Sequence, residues 1–221
     1  DILCAVIRLN AQLKMPLAGR KVFENDLLQC FVSFPTLPLS SWAVQIEALT
    51  EFLNSHGYRD EALKLTSDIK SISKKRGMWN FNTEASYQAL LFRRYHSYGE
   101  TPPLPEIEKA KNEFLQELKD YKNQSKKLSQ SNTGISAIQA ISRGLAHYKG
   151  FESAIIFLRE VKTTAKNTNF LDPIAETKIL SEIVGVASEG AKLPQFQSLP
   201  ELAALNTLLA NKDIPSSIRG E

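Results

Sequence analysis

Apolar side chains recur every three or four residues along most of this chain, which is the spacing of one face of an α-helix. The alternation of apolar and polar residues that marks a half-buried β-strand is almost absent from the sequence. The pattern therefore predicts an all-α fold of about nine helices. We expect them to form antiparallel hairpins, arranged as an irregular α-solenoid or as a helical bundle.

Local start and stop signals place the boundaries of several predicted helices. Asp172 followed by Pro173 is typical of a helix start, and Ser198 and Glu201 have the spacing of a capping box. Asn82 or Thr83 can cap the helix that runs to residue 98. Helix ends are predicted where a glycine follows the last apolar residue of a helical pattern, at Gly57, Gly77, Gly99 and Gly150. The inward positions predicted for the later helices are Ile107, Ala110, Phe114, Leu118 and Tyr121, then Ile135, Ile138, Ile141 and Leu145, then Ala154, Ile155, Leu158 and Val161.

A polar stretch from Ser129 to Gly134 predicts a flexible loop and an internal boundary. We expect N-terminal helical hairpins over residues 1–128 and C-terminal hairpins over residues 135–221, packed as one domain of a larger protein. The apolar opening segment lacks both an initiator methionine and a basic leader, which favours a piece of a longer chain over a signal peptide. No apolar run approaches the roughly 18 residues of a membrane span, so no transmembrane segment is predicted.

Composition and charge narrow the class of partner. The chain has 221 residues, of which 43% are hydrophobic and 23% charged, close to the globular average. Its formal net charge is +3, and the excess lies between Gly57 and Lys127, which hold 14 basic and 10 acidic residues. This excess is too small for a dedicated DNA-binding arm but leaves room for a local basic patch.

One helix-turn-helix segment resembles a known repeat family. Leu49, Leu53, Gly57 and Ala62 have the relative positions of the tetratricopeptide class, and the last three lie in the segment 52–63. A looser copy, His147–Ile155, has a turn that is one residue shorter. The resemblance implies a stacked helical surface that binds a protein segment. The alternative is an ordinary antiparallel helix pair, which also needs a glycine stop and a small residue at the crossing.

The sequence predicts no catalytic residues, no cofactor site and no metal site. It contains no Gly-x-Ser-x-Gly elbow, phosphate loop, dinucleotide fingerprint or His-Glu-x-x-His motif. Each of the three histidines lies near a predicted helix end, where imidazolium stabilises the helix dipole. Cys4 and Cys30 are flanked by apolar residues and are interpreted as buried thiols, which favours an intracellular, reducing compartment.

The middle of the chain supplies the candidate partner-binding residues. Basic and aromatic side chains precede a helix that carries two further arginines and a tyrosine; the candidates are Lys74, Lys75, Arg76, Trp79, Arg93, Arg94 and Tyr98. Arginine together with tyrosine or tryptophan is typical of interface hot spots, so we expect a protein partner rather than nucleic acid. The alternative interpretation is a basic helix end followed by aromatic residues that pack between hairpins.

The last four residues, Ile218 to Glu221, resemble the first motif of ADP-ribosyltransferases, in which an arginine binds the phosphates of NAD. The resemblance implies that Arg219 opens a catalytic domain preceded by a helical lobe. The later serine and glutamate motifs of that family are absent from this chain. The sequence thus favours a non-catalytic helical interaction or scaffold domain that binds another protein. The alternatives are an accessory helical lobe of a multidomain enzyme and a weak RNA-binding helical repeat.

Overall fold

A computed structural model gives the fold. It describes residues 79–97, 99–121, 127–190 and 199–210, together with single positions between residues 64 and 75 and Pro215. The chain divides into two compact units, residues 1–79 and 80–221. In the first unit, the described positions from Lys64 to Lys75 have helical backbone, as expected of the helix whose end is predicted at Gly77.

The second unit is built from helices joined by short connections. Their bounds are α1 Phe81–Ser97, α2 Leu104–Lys119, α3 Asn132–Lys149, α4 Phe151–Asn167, α5 Pro173–Gly190 and α6 Pro200–Leu209. A 3-10 turn, Leu128–Gln130, precedes α3. The described residues contain no β-strand, which confirms the all-α prediction. The helices predicted before residue 64 lie outside these residues. None of the described helices is both long and apolar enough to cross a membrane.

Helix α3 occupies the centre of this unit and contacts α1, α2, α4 and α5. Its predicted inward stripe, including Ile138 and Ile141, is buried. On α2 and α4 the predicted inward positions are buried too, except Tyr121, which lies just beyond α2 and is half-buried. The period of 3.6 residues thus correctly identifies the core face of α2, α3 and α4.

A glycine allows the close approach of α2 and α3. A Cβ atom placed on Gly144 would lie 2.8 Å from Cδ1 of Ile107, a fully buried side chain of α2. Any larger residue at this position must therefore displace the core. Gly144 is a packing requirement of the helix crossing.

Aromatic rings close one end of the core. The ring of Phe81 lies 5.2 Å from Phe114, 5.8 Å from Tyr121 and 5.1 Å from Phe170, each in an edge-to-face arrangement. The rings of Tyr121 and Phe170 are 4.0 Å apart. Edge-to-face pairs are favoured by the aromatic quadrupole. These contacts join the start of α1, the end of α2 and the connection between α4 and α5.

The helix ends predicted at Gly99 and Gly150 are confirmed. Both residues have positive φ angles, +68° and +82°, a backbone region that glycine enters without steric cost. The predicted cap of α5 is also confirmed, because Oδ1 of Asp172 accepts the N–H groups of Ile174 and Ala175 at 3.0 and 3.1 Å. Gly57 and Gly77 lie outside the described residues.

The flexible loop predicted at Ser129–Gly134 is instead a 3-10 turn and the first turn of α3. Ser131 Oγ accepts the N–H of Gly134 at 3.1 Å and so caps the helix. The N–H of Leu128 donates to the carbonyl of Phe170, and that of Ser129 donates to Asp172. The helices on either side of this stretch share one core.

The capping-box prediction at Ser198 and Glu201 requires correction, since α6 begins at Pro200 with Leu199 at its N-cap and no side-chain cap. Ser198 lies outside the described residues. The Glu201 carboxylate instead receives two hydrogen bonds from the Arg159 guanidinium on α4, at 2.7 and 3.0 Å. This bidentate pair attaches α6 to the rest of the unit. The cap predicted for α1 also requires correction. This helix begins at Phe81, so Asn82 and Thr83 lie in its first turn rather than at its N-cap.

We predict that leucine at Gly144 destabilises the protein, whereas leucine at Gly185 does not. Gly144→Leu inserts a side chain against Ile107 and should lower the free energy of unfolding by about 1–3 kcal/mol. Gly185→Leu is the matched control, because a Cβ there meets no neighbouring atom within 4 Å. Leucine is the better helix former, so this control should gain up to about 1 kcal/mol. Urea denaturation measures both, and equal losses would contradict the packing argument.

We further predict that the Glu201 ion pair contributes to stability at neutral pH and is lost in acid. The Arg159 hydrogen bond lowers the pKa of Glu201, so the folded state holds this carboxylate ionised more strongly than the unfolded chain does. The stabilisation is present above about pH 4.3, the ordinary pKa of glutamate, and disappears as pH falls through the lowered value. Unfolding midpoints measured from pH 7 to pH 2 should fall less steeply for Glu201→Gln. An unchanged slope would show that the pair does not hold α6.

Candidate functional site: a cleft beside α5

The candidate residues chosen from sequence fall in both units. Lys74 and Lys75 are exposed on helical backbone of the first unit. Trp79, in the same unit, is half-buried, and Nζ of the buried Lys70 lies 5.4 Å from the centre of its ring. This cation–π contact occupies the ring within the protein, which favours a packing role for Trp79. Arg76 lies outside the described residues.

The remaining candidates belong to the second unit. Arg93 and Arg94 belong to α1, where the structure describes their backbone but not their side chains. Tyr98 lies between described segments, and the neighbouring Tyr95 is buried and donates its hydroxyl to Glu106 at 2.6 Å. The best tetratricopeptide-like segment and Arg219 also lie outside the described residues. The hypotheses based on them stay predictions.

The structure contains a cleft that the sequence patterns do not indicate. It has a volume of about 600 Å³ and lies where the end of α3 and the start of α4 face the C-terminal half of α5. We call it the α5 cleft, and its principal side chains and backbone positions are Arg143, His147, Phe151, Glu182, Gly185 and Glu189. Such a volume falls within the range of about 300–1,000 Å³ typical of ligand sites.

Two glycines form the end of the α5 cleft. Gly150 is the single residue between α3 and α4, and its positive φ reverses the chain there. Gly190 ends α5 close to Phe151, since a Cβ on Gly190 would lie 2.7 Å from Cδ1 of that ring. The end of α5 therefore packs directly on the start of α4, and the cleft opens along the preceding turns of α5.

Gly185 differs from these glycines because nothing in the fold requires it. It lies inside α5, its φ is not positive, and a Cβ there would have no neighbouring atom within 4 Å. Glycine in a helix interior costs about 1 kcal/mol relative to alanine. The visible effect of this residue is the open space on the wall of the α5 cleft.

Glu182 is the most deeply placed charged group of the cleft, with 10% of its side chain exposed. Its carboxylate accepts hydrogen bonds from Gln139 Nε2 at 3.3 Å, Ser142 Oγ at 3.2 Å and Arg143 Nε at 3.3 Å. The single hydroxyl proton of Ser142 is shared, because its oxygen is also 2.9 Å from the carbonyl of Gln139. These bonds are long for charge-assisted contacts. The carboxylate thus keeps capacity to accept stronger donors.

Two further charges lie on the walls of the cleft. Arg143 is 73% exposed, and its Nε is the atom that contacts Glu182. Glu189 is exposed in the last turn of α5, and no cation pairs with it among the described residues. His147 is exposed too, with its ring 4.7 Å from that of Tyr148. The cleft therefore offers charged groups that a ligand can reach.

Known proteins supply no guide to this site. No family model, curated protein or solved structure matches the chain. Among the residues that the structure describes, no group of three or more histidine, cysteine, aspartate or glutamate side chains is placed to hold a metal ion. The function must be argued from the geometry of the cleft.

Two sequence signals could have pointed to this site. Gly185 stands in the middle of a strongly predicted helix, where glycine is unfavourable. Glu189 stands near the C-terminus of the same helix, where a negative charge opposes the helix dipole. The cleft residues that precede α5 in the chain come from α3, the turn at Gly150 and the start of α4, and their association with α5 depends on tertiary packing.

We predict that Arg143 contributes little to folding. Its contact with Glu182 is long, its own side chain is 73% exposed, and Glu182 also accepts hydrogen bonds from Gln139 and Ser142, so the pair should contribute about 0–1 kcal/mol. Arg143→Gln should therefore change the free energy of unfolding by less than about 1 kcal/mol. Arg159→Gln is the matched control, and it should cost more because it leaves the Glu201 carboxylate, only 8% exposed, without its bidentate partner. Urea denaturation compares them, and a larger loss for Arg143→Gln would contradict this assignment.

Proposed function

We propose that this chain is a non-catalytic helical domain that binds a segment of another protein, and that the segment inserts a side chain into the α5 cleft. The observation that carries the proposal is Gly185. A helix interior that contains glycine without a packing reason loses stability, and the compensating gain is space in the cleft. Departures from local sequence preference of this kind concentrate at functional sites.

The walls of the α5 cleft suit a protein side chain. Phe151 and Val186 supply apolar surface, while Glu182 and Arg143 supply polar contacts at one side. Sites that combine apolar walls with a few polar groups bind ligands with defined orientation. A segment lying across α5 could place one anchor residue in the cleft and rest its neighbours on the adjoining helices.

The sequence expectations fit within this proposal. The helices predicted in residues 1–63 would extend the fold to about nine helices in hairpins, as an irregular solenoid or bundle. Lys74 and Lys75, both exposed, would form a second contact surface together with Arg76. The α3–α4 pair, with its one-residue turn at Gly150, is the part of the predicted repeat-like pattern that borders the cleft.

Site-specific photo-crosslinking tests the proposal. The full chain would carry benzoylphenylalanine in place of His147, which lines the cleft. A matched variant would carry it in place of Thr163, an exposed position of α4. Thr163 lies about 18 Å along the helix from Phe151, at 1.5 Å per residue. We expect a discrete cross-linked protein from position 147, identified by mass spectrometry, and none of the same mass from position 163.

Variants at Gly185 provide the controls. Gly185→Leu fills the cleft and should abolish the product from position 147, whereas Gly185→Ala adds one carbon atom and should retain most of it. Gly185→Leu keeps the fold if the unfolding measurement above gives the expected result, and Gly185→Ala adds only a Cβ, which meets no neighbouring atom within 4 Å. A product of equal yield in Gly185→Leu, or an equal product from position 163, would overturn the proposal.

A further inference from the structure

We infer that the side chain received by the α5 cleft is an arginine of the partner protein, held by Glu182 and Glu189. This inference rests on the proposed function and names the chemistry of the bound residue. It follows from the two carboxylates on α5, from the long contact and high exposure of Arg143, and from the apolar residues that line the cleft.

The two acids flank the open position. Glu182, Gly185 and Glu189 lie on the cleft side of α5, and all three line the cleft. The two acids are seven positions apart, which corresponds to a distance of about 10 Å along the helix axis. A guanidinium group that enters above Gly185 thus meets one carboxylate toward each end of the helix.

The charge of the cleft is incomplete without a cation. Glu182 and Glu189 carry two negative charges, and Arg143 supplies one positive charge near Glu182. Glu189 has no cation partner among the described residues, and its position in the last turn of α5 is unfavourable for a carboxylate. A bound cation would pair with Glu189 and would also offset its repulsion by the negative end of the helix dipole.

Arg143 stands where a ligand guanidinium could bind, but it makes a poor contact there. Its Nε lies 3.3 Å from Oε1 of Glu182, and 73% of its side chain remains exposed. A bidentate guanidinium–carboxylate pair is shorter, with N···O distances of about 2.7–2.9 Å. An arginine arriving from the partner could form that pair, while Arg143 turns toward solvent at little cost.

The apolar walls favour arginine over a compact cation. Phe151, Val186 and Ala146 line the cleft and can cover the methylene stem of a long side chain. Guanidinium also stacks on aromatic faces more readily than ammonium does, and Phe151 is the aromatic wall. The opposite interpretation is an anion bound by Arg143 and His147 at the start of α4, and it predicts opposite effects of substitution.

The probe is the capped tripeptide acetyl-Gly-Arg-Gly-amide, titrated into the isotopically labelled full chain and followed by amide NMR shifts. The matched control peptide carries citrulline, which keeps the shape of arginine but has no charge. We expect saturable shifts at Gly185, Val186 and Gly190 with the arginine peptide, and at least tenfold weaker binding of the citrulline peptide.

Three substitutions test whether the cleft binds a cationic side chain. Glu182→Gln keeps the size of the side chain but removes its charge and one acceptor oxygen, and it should weaken the arginine peptide about tenfold. Glu189→Gln, at an exposed position, should weaken it about threefold and leave the fold unchanged. Arg143→Gln removes the competing guanidinium and should strengthen binding. Equal affinity of the citrulline peptide, or loss of binding in Arg143→Gln, would overturn the inference.

The titration also separates this inference from the proposed function. Absence of shifts with the arginine peptide, alongside cross-linking that depends on Gly185, would refute the arginine anchor and leave the protein-binding cleft standing. Binding of acetyl-Gly-Asp-Gly-amide at the same amides would refute the inference in favour of an anionic segment. Cross-linking that is unaffected by Gly185→Leu would refute the proposed function itself.

Discussion

The second unit depends on one constraint, the need for α3 to pack against four other helices at once. Its neighbours are α1, α2, α4 and α5, so every face of the helix except its exposed rim is committed to the core. Gly144 and Ala137 keep the approaching helices close, and Gly144 in particular accommodates the side chain of Ile107. Helix α3 ends at Lys149, Gly150 turns the chain, and α4 begins at Phe151. The position of the α5 cleft follows from that turn.

The glycines of the second unit are needed for different physical reasons, and one of them has no such reason. Gly144 and Gly190 lie where a Cβ would contact a side chain below 3.0 Å, so their absence of a side chain serves packing. Gly150 serves a backbone conformation that other residues adopt with strain. Gly185 has neither reason, and its effect is to open the cleft between two acids. This contrast is what separates a candidate site from ordinary close packing.

The all-α fold of the described residues was largely predictable from sequence, whereas the site was not. Burial of Phe114, Ile141 and Leu158 follows from helical periodicity, and the cap at Asp172 follows from interactions within three residues. Predictions failed where a distant partner determines the local structure. Polar residues near Ser129 suggest a loop, but the preceding Leu128 is buried and hydrogen-bonded to the segment after α4. Arg143 and Glu182 are likewise about 40 positions apart, and no local pattern joins them.

Hydrogen–deuterium exchange of the full chain, alone and in complex with the protein captured by cross-linking, tests the central claim most directly. Occupation of the α5 cleft should slow amide exchange at residues 143–151 and 182–190, where the three helices meet. The same partner should leave these segments unchanged when it is mixed with Gly185→Leu. Slower exchange confined to other parts of the chain, with residues 182–190 unaffected in the wild-type complex, would contradict the account.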